Sequence, residues 1–476
     1  MLILSFLLPF LSLVLINPLG ASRGWIWTEP KVWAVAVWVA FTWLSLLYPL
    51  LKQQVNLAPL KRFALLYGFF LLAGLLSVWL SPFPLRAFLG QSTMGDGWNY
   101  WLAVGALALG NSLLLAIRPK LFRAQLLGVV AGGVVMAIAV LPQMFNWTLD
   151  YTATMGQTFP GNEPLLSTIF RGQMPIGLTS HRGHAGLVLA CVSVLLVAAR
   201  LTGFLRPKIA LPLLFIAGLA LWCTYTRGPY LAFFAGLTPL VFLHRSWRAW
   251  GQVAWVILAS YGAFLGLGHF AELNRDFQPP GLNEGFASGR LRLWSLAWEG
   301  IKARPLVGWG FDGFGLAFPY VADFTHLEAG YLKSTSKPTH ITEVSDYAFE
   351  YKDINGQTHT GVLATNKAHN LLLDGLLSVG VLGFVPYLLA FGALLQLTLR
   401  GPAAALGAVG IAYLVYTLTW FESAQFSHLA WWALSAGAGL ALAQKVGGDY
   451  VPQGLQPNRA TRRHQHHLDP SGSPHP

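Results

Sequence analysis

Arg227 stands between Cys223 and Pro229, in the hinge Thr224-Tyr225-Thr226-Arg227-Gly228-Pro229 of an apolar hairpin. A guanidinium presents a planar donor fork that matches phosphate oxygens, so an arginine placed here can clamp an anion. Taken alone, it is better explained as a topology anchor whose head snorkels to the membrane surface. Arg290 and Arg292 open a second segment, where attraction to lipid headgroups is the plainer account of either. Arg290, however, shares a helical face with Trp294 at i, i+4, so packing can hold it while its head points elsewhere. Lys302 and Arg304 close the same segment, where the helix macrodipole accounts for them.

His369 lies where a long polar stretch returns to an apolar run, with Lys367 just before it and Asn370 just after. A lone histidine in such a place is more often structural than reactive. Asp374 is five residues on, which is ~140° around a helix, so the two make no facing dyad. Asn370 is placed to fix the imidazole by a hydrogen bond. His181, Arg182 and His184 form a polar lead-in to another apolar run. No carboxylate pair accompanies them, so they do not have the ligand set of a zinc site. The tail histidines His464, His466 and His467 read as incidental. Cys191 and Cys223 sit in apolar runs and define neither a disulfide nor a metal framework.

The elements that position these residues follow from composition. Of the 476 residues, 54% are hydrophobic and only 11% charged. A soluble domain carries roughly a quarter charged residues, so most soluble enzymes and disordered scaffolds are excluded. Crossing a bilayer takes roughly 20 apolar residues per helix. Continuous rather than alternating apolar runs exclude a barrel. Twelve spans are read, at about 2–18, 32–51, 63–81, 98–117, 124–144, 184–201, 209–224, 229–244, 250–270, 371–399, 403–421 and 427–444. Met1 to Phe6 holds no Lys or Arg and no small-residue cleavage site follows, so the first run is read as a span rather than a signal.

With the N-terminus placed in the cytoplasm, 16 of the 31 basic residues fall in inner segments, with only Asp449 and Asp469 beside them. The cytoplasmic balance is +14 and the outer balance −2, which accounts for the net +12. The basic excess is thus a topology signal and implies no nucleic-acid partner. The expected organisation is nine spans over 1–270, an outer loop over 271–368, three spans over 369–444 and a disordered cytoplasmic tail over 445–476. Within the loop, Ser288 to Ala303 reads as an amphipathic helix lying on the membrane, capped by Ser288 and stopped by Pro305. A glycine-punctuated turn follows at Gly308-Trp309-Gly310-Phe311-Asp312-Gly313. Residues 320–366 are polar and mixed, and read as a small cap over the membrane.

Three stretches resemble, in order and spacing, the superfamily of O-antigen ligases and O-antigen polymerases. They are Thr226-Arg227-Gly228 after an apolar span, then Ser288-Gly289-Arg290-Leu291-Arg292-Leu293-Trp294 leading to Pro305-Leu306-Val307-Gly308-Trp309-Gly310. The third is His369-Asn370-Leu371-Leu372-Leu373 leading to Gly380-Val381-Leu382-Gly383. The resemblance covers roughly residues 170–400, with a fainter match from Phe88-Leu89-Gly90 to Asn99-Tyr100. Two departures stand out: Thr226 replaces a frequent serine, and His181-Arg182-Gly183-His184 replaces a turn usually containing glycine and asparagine.

The resemblance implies an all-α polytopic membrane protein of the GT-C-like type, working without metal or cofactor in a bacterial inner membrane. It implies transfer of a glycan from an undecaprenyl diphosphate carrier to an acceptor hydroxyl on the outer leaflet. Arg227, Arg290 and His369 match the family's important polar residues; Arg182, His181, Arg292 and Asn370 are the expected substrate-binding set around them. The chemistry is coherent. An anionic diphosphate leaving group needs cationic partners, and an acceptor hydroxyl needs a base such as histidine. The acceptor (core lipid, another repeat unit, or protein) separates ligase, polymerase and protein O-oligosaccharyltransferase, and no motif here names it. A small-anion transporter is the reading from another class, but it calls for polar residues inside the spans, which are almost clean of charge.

Overall fold

The computed structural model describes residues 1–20, 22–52, 58–144, 175–270, 290–322, 339–363 and 367–445. Residues 145–174 of the expected outer connection, the Ser288 cap and the tail after Lys445 lie outside the described residues. All twelve apolar runs fold as helices: α1 (Leu2–Val14), α2 (Glu29–Leu51), α3 (Lys61–Trp79), α5 (Trp98–Ile117), α6 (Leu121–Gln143), α7 (Arg182–Leu201), α8 (Pro207–Cys223), α9 (Arg227–Leu243), α10 (Trp247–Phe270), α13 (Leu371–Arg400), α14 (Gly407–Thr419) and α15 (Ser427–Lys445). Among the described residues, three shorter α-helices join them: α4 (Pro84–Leu89), α11 (Arg290–Ala303) and α12 (Gly313–Val321).

The chain is a polytopic helical membrane protein, with seven helical stretches among the described residues long and apolar enough to cross a bilayer unaided. α1 and α14 are shorter than their apolar runs suggest, at 13 residues each, and α8 and α9, at 17 residues each, are short for a crossing. The 13 residues of α1 rise only about 20 Å, short of a ~30 Å hydrocarbon layer. Helix length alone therefore gives fewer full crossings than the twelve apolar runs.

α7 lies at the centre, buried continuously from Gly183 to Ala199, and contacts α8 and α9. Around it α1 packs on α6, α3 on α13, α5 on α15 and α9 on α14. Lipid offers no hydrophobic drive for such contacts, so close backbone approach matters. At Gly128 of α6, a Cβ would fall 2.1 Å from the Phe6 carbonyl oxygen of α1. The interior also holds a lysine that the run-by-run reading places just outside its span. Lys31 is fully buried and its Nζ donates to the carbonyls of Leu15, Trp27 and Leu178 at 3.1, 3.0 and 2.7 Å. It ties the end of α1 and the start of α2 to the segment that leads into His181.

The glycine-rich motifs have a common structural purpose. α13 is broken at Gly380, whose φ of 61° and ψ of −173° are closed to residues with a Cβ. The Pro305–Gly310 turn docks into the break. Val381 and Leu382 donate their amides to the carbonyls of Pro305 and Leu306, while Trp309 and Gly310 donate to those of Leu377 and Ser378. The loop is thus stitched to α13 by backbone bonds, and α11 is carried with it.

Residues 340–362, which the sequence assigns to no element, form an antiparallel sheet of order β1-β2-β3: β1 (His340–Val344), β2 (Ala348–Lys352) and β3 (Thr358–Val362). Phe349 and Tyr351 alternate inward along β2, as a strand with one covered face requires. Arg86 of α4 fastens this sheet to the bundle. Its guanidinium donates to Asp312 Oδ2 at 2.9 and 2.7 Å and to the Val344 carbonyl at 3.1 Å.

Candidate active site

The last turn before α13 presents His369. Its φ is 57°, a left-handed value that ordinary residues adopt only when their surroundings enforce it. Three side chains enforce it here. Asp374, one turn into α13, accepts the Ala368 amide at 2.7 Å and the Asn370 amide at 3.4 Å. Trp294 of α11 donates its indole N–H to the Ala368 carbonyl at 3.0 Å. Asn370 Oδ1 accepts from Leu372 and Leu373 as the N-cap of α13. Asp374 therefore positions His369 through the backbone rather than the ring, in keeping with the absence of a facing dyad.

The ring itself is fixed by a different partner from the one expected. Nδ1 lies 3.0 Å from the Lys367 carbonyl oxygen. A carbonyl only accepts, so Nδ1 carries the proton and Nε2 keeps its lone pair. Asn370 is spent on the helix cap. The imidazole packs edge-on against Trp420 and Phe421, with centroids 4.7 and 4.9 Å away. Burial lowers its pKa to about 4, with Arg290 depressing it further and the Lys367 carbonyl opposing. His369 is thus neutral throughout the physiological range.

Trp420 gathers the other candidates. The Arg290 guanidinium carbon lies 5.7 Å from the Trp420 ring centre, close enough for a cation–π contact. His181 approaches the same indole at 5.2 Å. His181 Nδ1 accepts the Gly183 amide at 3.0 Å and so caps α7, while burial holds its ring well below the usual histidine range. Arg182, the next residue, lies in the field of Tyr230. Arg227 opens α9, and its neighbour Gly228 abuts Thr419 and Tyr416 at the end of α14. Arg290 is also in electrostatic contact with Tyr416. Arg290, His181 and His369 are therefore brought together around one indole, with the start of α9 beside the same end of α14. Arg292 is exposed, on the far side of α11 from the half-buried Arg290. Arg304 does more than balance a dipole. It stacks on Trp309 at 4.3 Å and donates to the Leu80 carbonyl at 2.9 Å, clamping the loop to the end of α3.

Residues 212–388 match the family model described as O-antigen ligase. This stretch is similar to an O-antigen ligase domain. The match takes in Arg227, Arg290, the docked Pro305–Gly310 turn and His369, and covers over a third of the chain. It supports the superfamily that the motifs resemble and, with it, a membrane glycosyltransferase-like ligase or polymerase role. No curated protein matches the chain.

The site is completed by further residues, some of them outside the match. Trp420 and Phe421 belong to the link between α14 and α15, held by Gln425, whose side chain bonds Thr28, Thr93 and Ser180. Beneath His369, Lys367 pairs with Asp96 at 2.6 Å. Burial pulls the Lys367 pKa down, but Asp96, Asp312 and Asp374 outweigh it and hold the ammonium charged. Burial pushes Asp312 up to about 6 against the pull of Arg86. Glu422, bonded by the Tyr387 and Tyr413 hydroxyls, is pushed by burial to about 7. Its signal in the sequence is slight: Glu422 is the only acid between Asp374 and Asp449, and a lone acid between two apolar runs invites scrutiny.

Proposed function

We propose that this chain transfers a glycan from undecaprenyl diphosphate to an acceptor hydroxyl at the outer face of a bacterial inner membrane, on a twelve-crossing, GT-C-like scaffold. The observation that carries the reading is the pairing of a neutral, tautomer-fixed His369 with Arg290 on one aromatic platform. His369 Nε2 takes the proton as the acceptor oxygen bonds to the anomeric carbon. The bond from that carbon to the diphosphate breaks, and the departing anion is held by Arg290 and Arg227. The arginines supply the cationic charge that the leaving group requires. A reconstituted assay with lipid-diphosphate glycan and a panel of acceptors tests the reaction. It also separates a ligase, which uses a core lipid, from a polymerase, which uses a second repeat unit.

Arg290→Lys and Arg227→Lys should each lower kcat by about 10²–10³-fold, because a point charge replaces the planar fork. Arg292→Ala should stay within a few fold of wild type. Arg304→Ala should lower the melting temperature while leaving turnover per folded molecule intact. Normal turnover by Arg290→Lys alongside a folded but inactive Arg304→Ala would put the anion on the wrong face of α11.

The topology is tested by labelling in intact cells. Both native cysteines are buried, so background should be low. A cysteine at Ile354, 87% exposed between β2 and β3, should react with an impermeant maleimide before permeabilisation, and one at Lys61 only afterwards. The reverse pattern would turn the site toward the cytoplasm and remove the proposed reaction from the outer leaflet.

A further inference from the structure

A cavity of about 190 Å³ opens beside His369. Its walls include His369, Trp420 and Lys367, but neither Arg290 nor Arg227. Much of the rest comes from outside residues 212–388: Arg23 ahead of α2, Gln91 and Thr93 from the α4–α5 link, and His181 before α7. Tyr347 closes it from the β1–β2 turn. That turn is anchored: Gln91 donates to the Asp346 carbonyl at 3.2 Å, and the Ser92 amide donates to its carboxylate at 3.2 Å.

Three properties of this cavity select a ligand. Its volume is below the ~300–1,000 Å³ of pockets for drug-sized molecules, so it has room for about one ring. Aromatic side chains (Tyr347, Trp420, Phe421) and hydrogen-bonding groups share its lining, a combination that suits a sugar's apolar face and hydroxyl rim. Its lining contains two cations, Arg23 and Lys367, and no carboxylate among the described residues. Asp96 pairs with Lys367, and Arg23 lies in the field of the Tyr347 hydroxyl.

We infer that this cavity is the acceptor subsite, seating one sugar ring with an anionic substituent, and that Arg23 sets the preference for that charge. The inference rests on the glycosyl-transfer reading and assigns the second substrate to a place. Diphosphate and acceptor then reach His369 from different sides: the diphosphate from the arginines of α9 and α11, the acceptor from the cavity. Whether the charge is a phosphate or a carboxylate, and whether the ring belongs to a lipid or to a free glycan, the recognising chemistry is the same.

The test uses the full chain in nanodiscs, with glucose and glucose 6-phosphate as probes in saturation-transfer NMR. A parallel transfer assay uses anionic and neutral acceptor glycans. Wild type should favour glucose 6-phosphate. Arg23→Gln should reduce that preference about ten-fold, the scale of one charge-assisted hydrogen bond. It should raise KM for anionic acceptors and leave the donor KM unchanged, with Arg23→Lys restoring most of the loss. Tyr347→Phe, which alters the wall without removing charge, should weaken both sugars alike and serves if Arg23→Gln does not fold. An unchanged preference in folded Arg23→Gln would overturn the assignment. So would a raised donor KM, which would give the cavity to the donor's sugar, or a preference lost in Arg290→Gln instead, which would put the phosphate in the diphosphate site. Sugar-phosphate binding that depends on Arg23 in a protein that transfers to no acceptor would uphold the subsite and sink the transfer reading.

Discussion

His369→Asn should insert, fold and bind lipid-linked glycan, yet transfer it about 10²–10⁴-fold more slowly, the usual scale of lost general-base help. Asparagine is preferred to alanine as the replacement because it tolerates the left-handed backbone that His369 adopts at a φ of 57°. The Asp374 and Trp294 contacts to Ala368 and Asn370 should then survive. The pH profile carries more information than the rate. The sequence alone suggests an ionisation near neutrality, the ordinary range for histidine. Burial instead sets the free-protein value at about 4. The base must be neutral to act, so kcat/KM should rise with pH through an acid limb near 4 and be level from about 6 to 8. Arg290 contributes to the depression, so Arg290→Gln should move that limb upward in its residual activity. Bound diphosphate should move it the same way in kcat, since a nearby anion favours imidazolium. A near-wild-type rate for His369→Asn would remove the residue from the chemistry. Loss of donor binding in that variant would make it a phosphate ligand beside Arg290.

The helices are legible in the sequence because each apolar run has only one way to satisfy its backbone in a bilayer. The candidate site is legible where local sequence dictates it: Arg290 and Trp294 share a helical face, and His369 precedes a capped helix start. Other features depend on long-range contacts that no local pattern announces. Trp420 meets Arg290 and His369 only because Gln425 and Met94 hold its link against the α4–α5 segment. The His369 tautomer depends on a carbonyl two residues back, visible only once the left-handed turn is known. The sheet escapes a sequence reading because its strands are only five residues each and depend on Arg86, over 250 positions from Val344 in sequence, to dock. Lys31 misleads for a related reason. It sits at the edge of an apolar run, where snorkelling is the default expectation, but three carbonyls from separate segments converge on it.

The docked loop gives the other large expected effect. Gly380→Ala should destabilise the folded protein by about 2–5 kcal/mol, combining backbone strain with overpacking. A Cβ there would lie 2.2 Å from the carbonyl carbon and oxygen of Leu306. Neither atom is the end of a flexible side chain, so the whole turn must move. Four backbone hydrogen bonds between 305–310 and 377–382 share that interface. Displacing the turn also tilts α11, and with it Arg290 and the Trp294 tether to Ala368. Transfer should therefore fall in the fraction that remains folded. Gly392, in the same helix, supplies the matched control: a methyl group added there would meet nothing within 4 Å. Gly392→Ala should be neutral or slightly stabilising, by up to about 1 kcal/mol. The chain's 19 tryptophans make thermal unfolding in nanodiscs readable by intrinsic fluorescence. Equal melting temperatures for the two variants would mean that the Pro305–Gly310 turn does not hold α13 in its broken form. The coupling of the loop to His369 would then have to run through Trp294 alone.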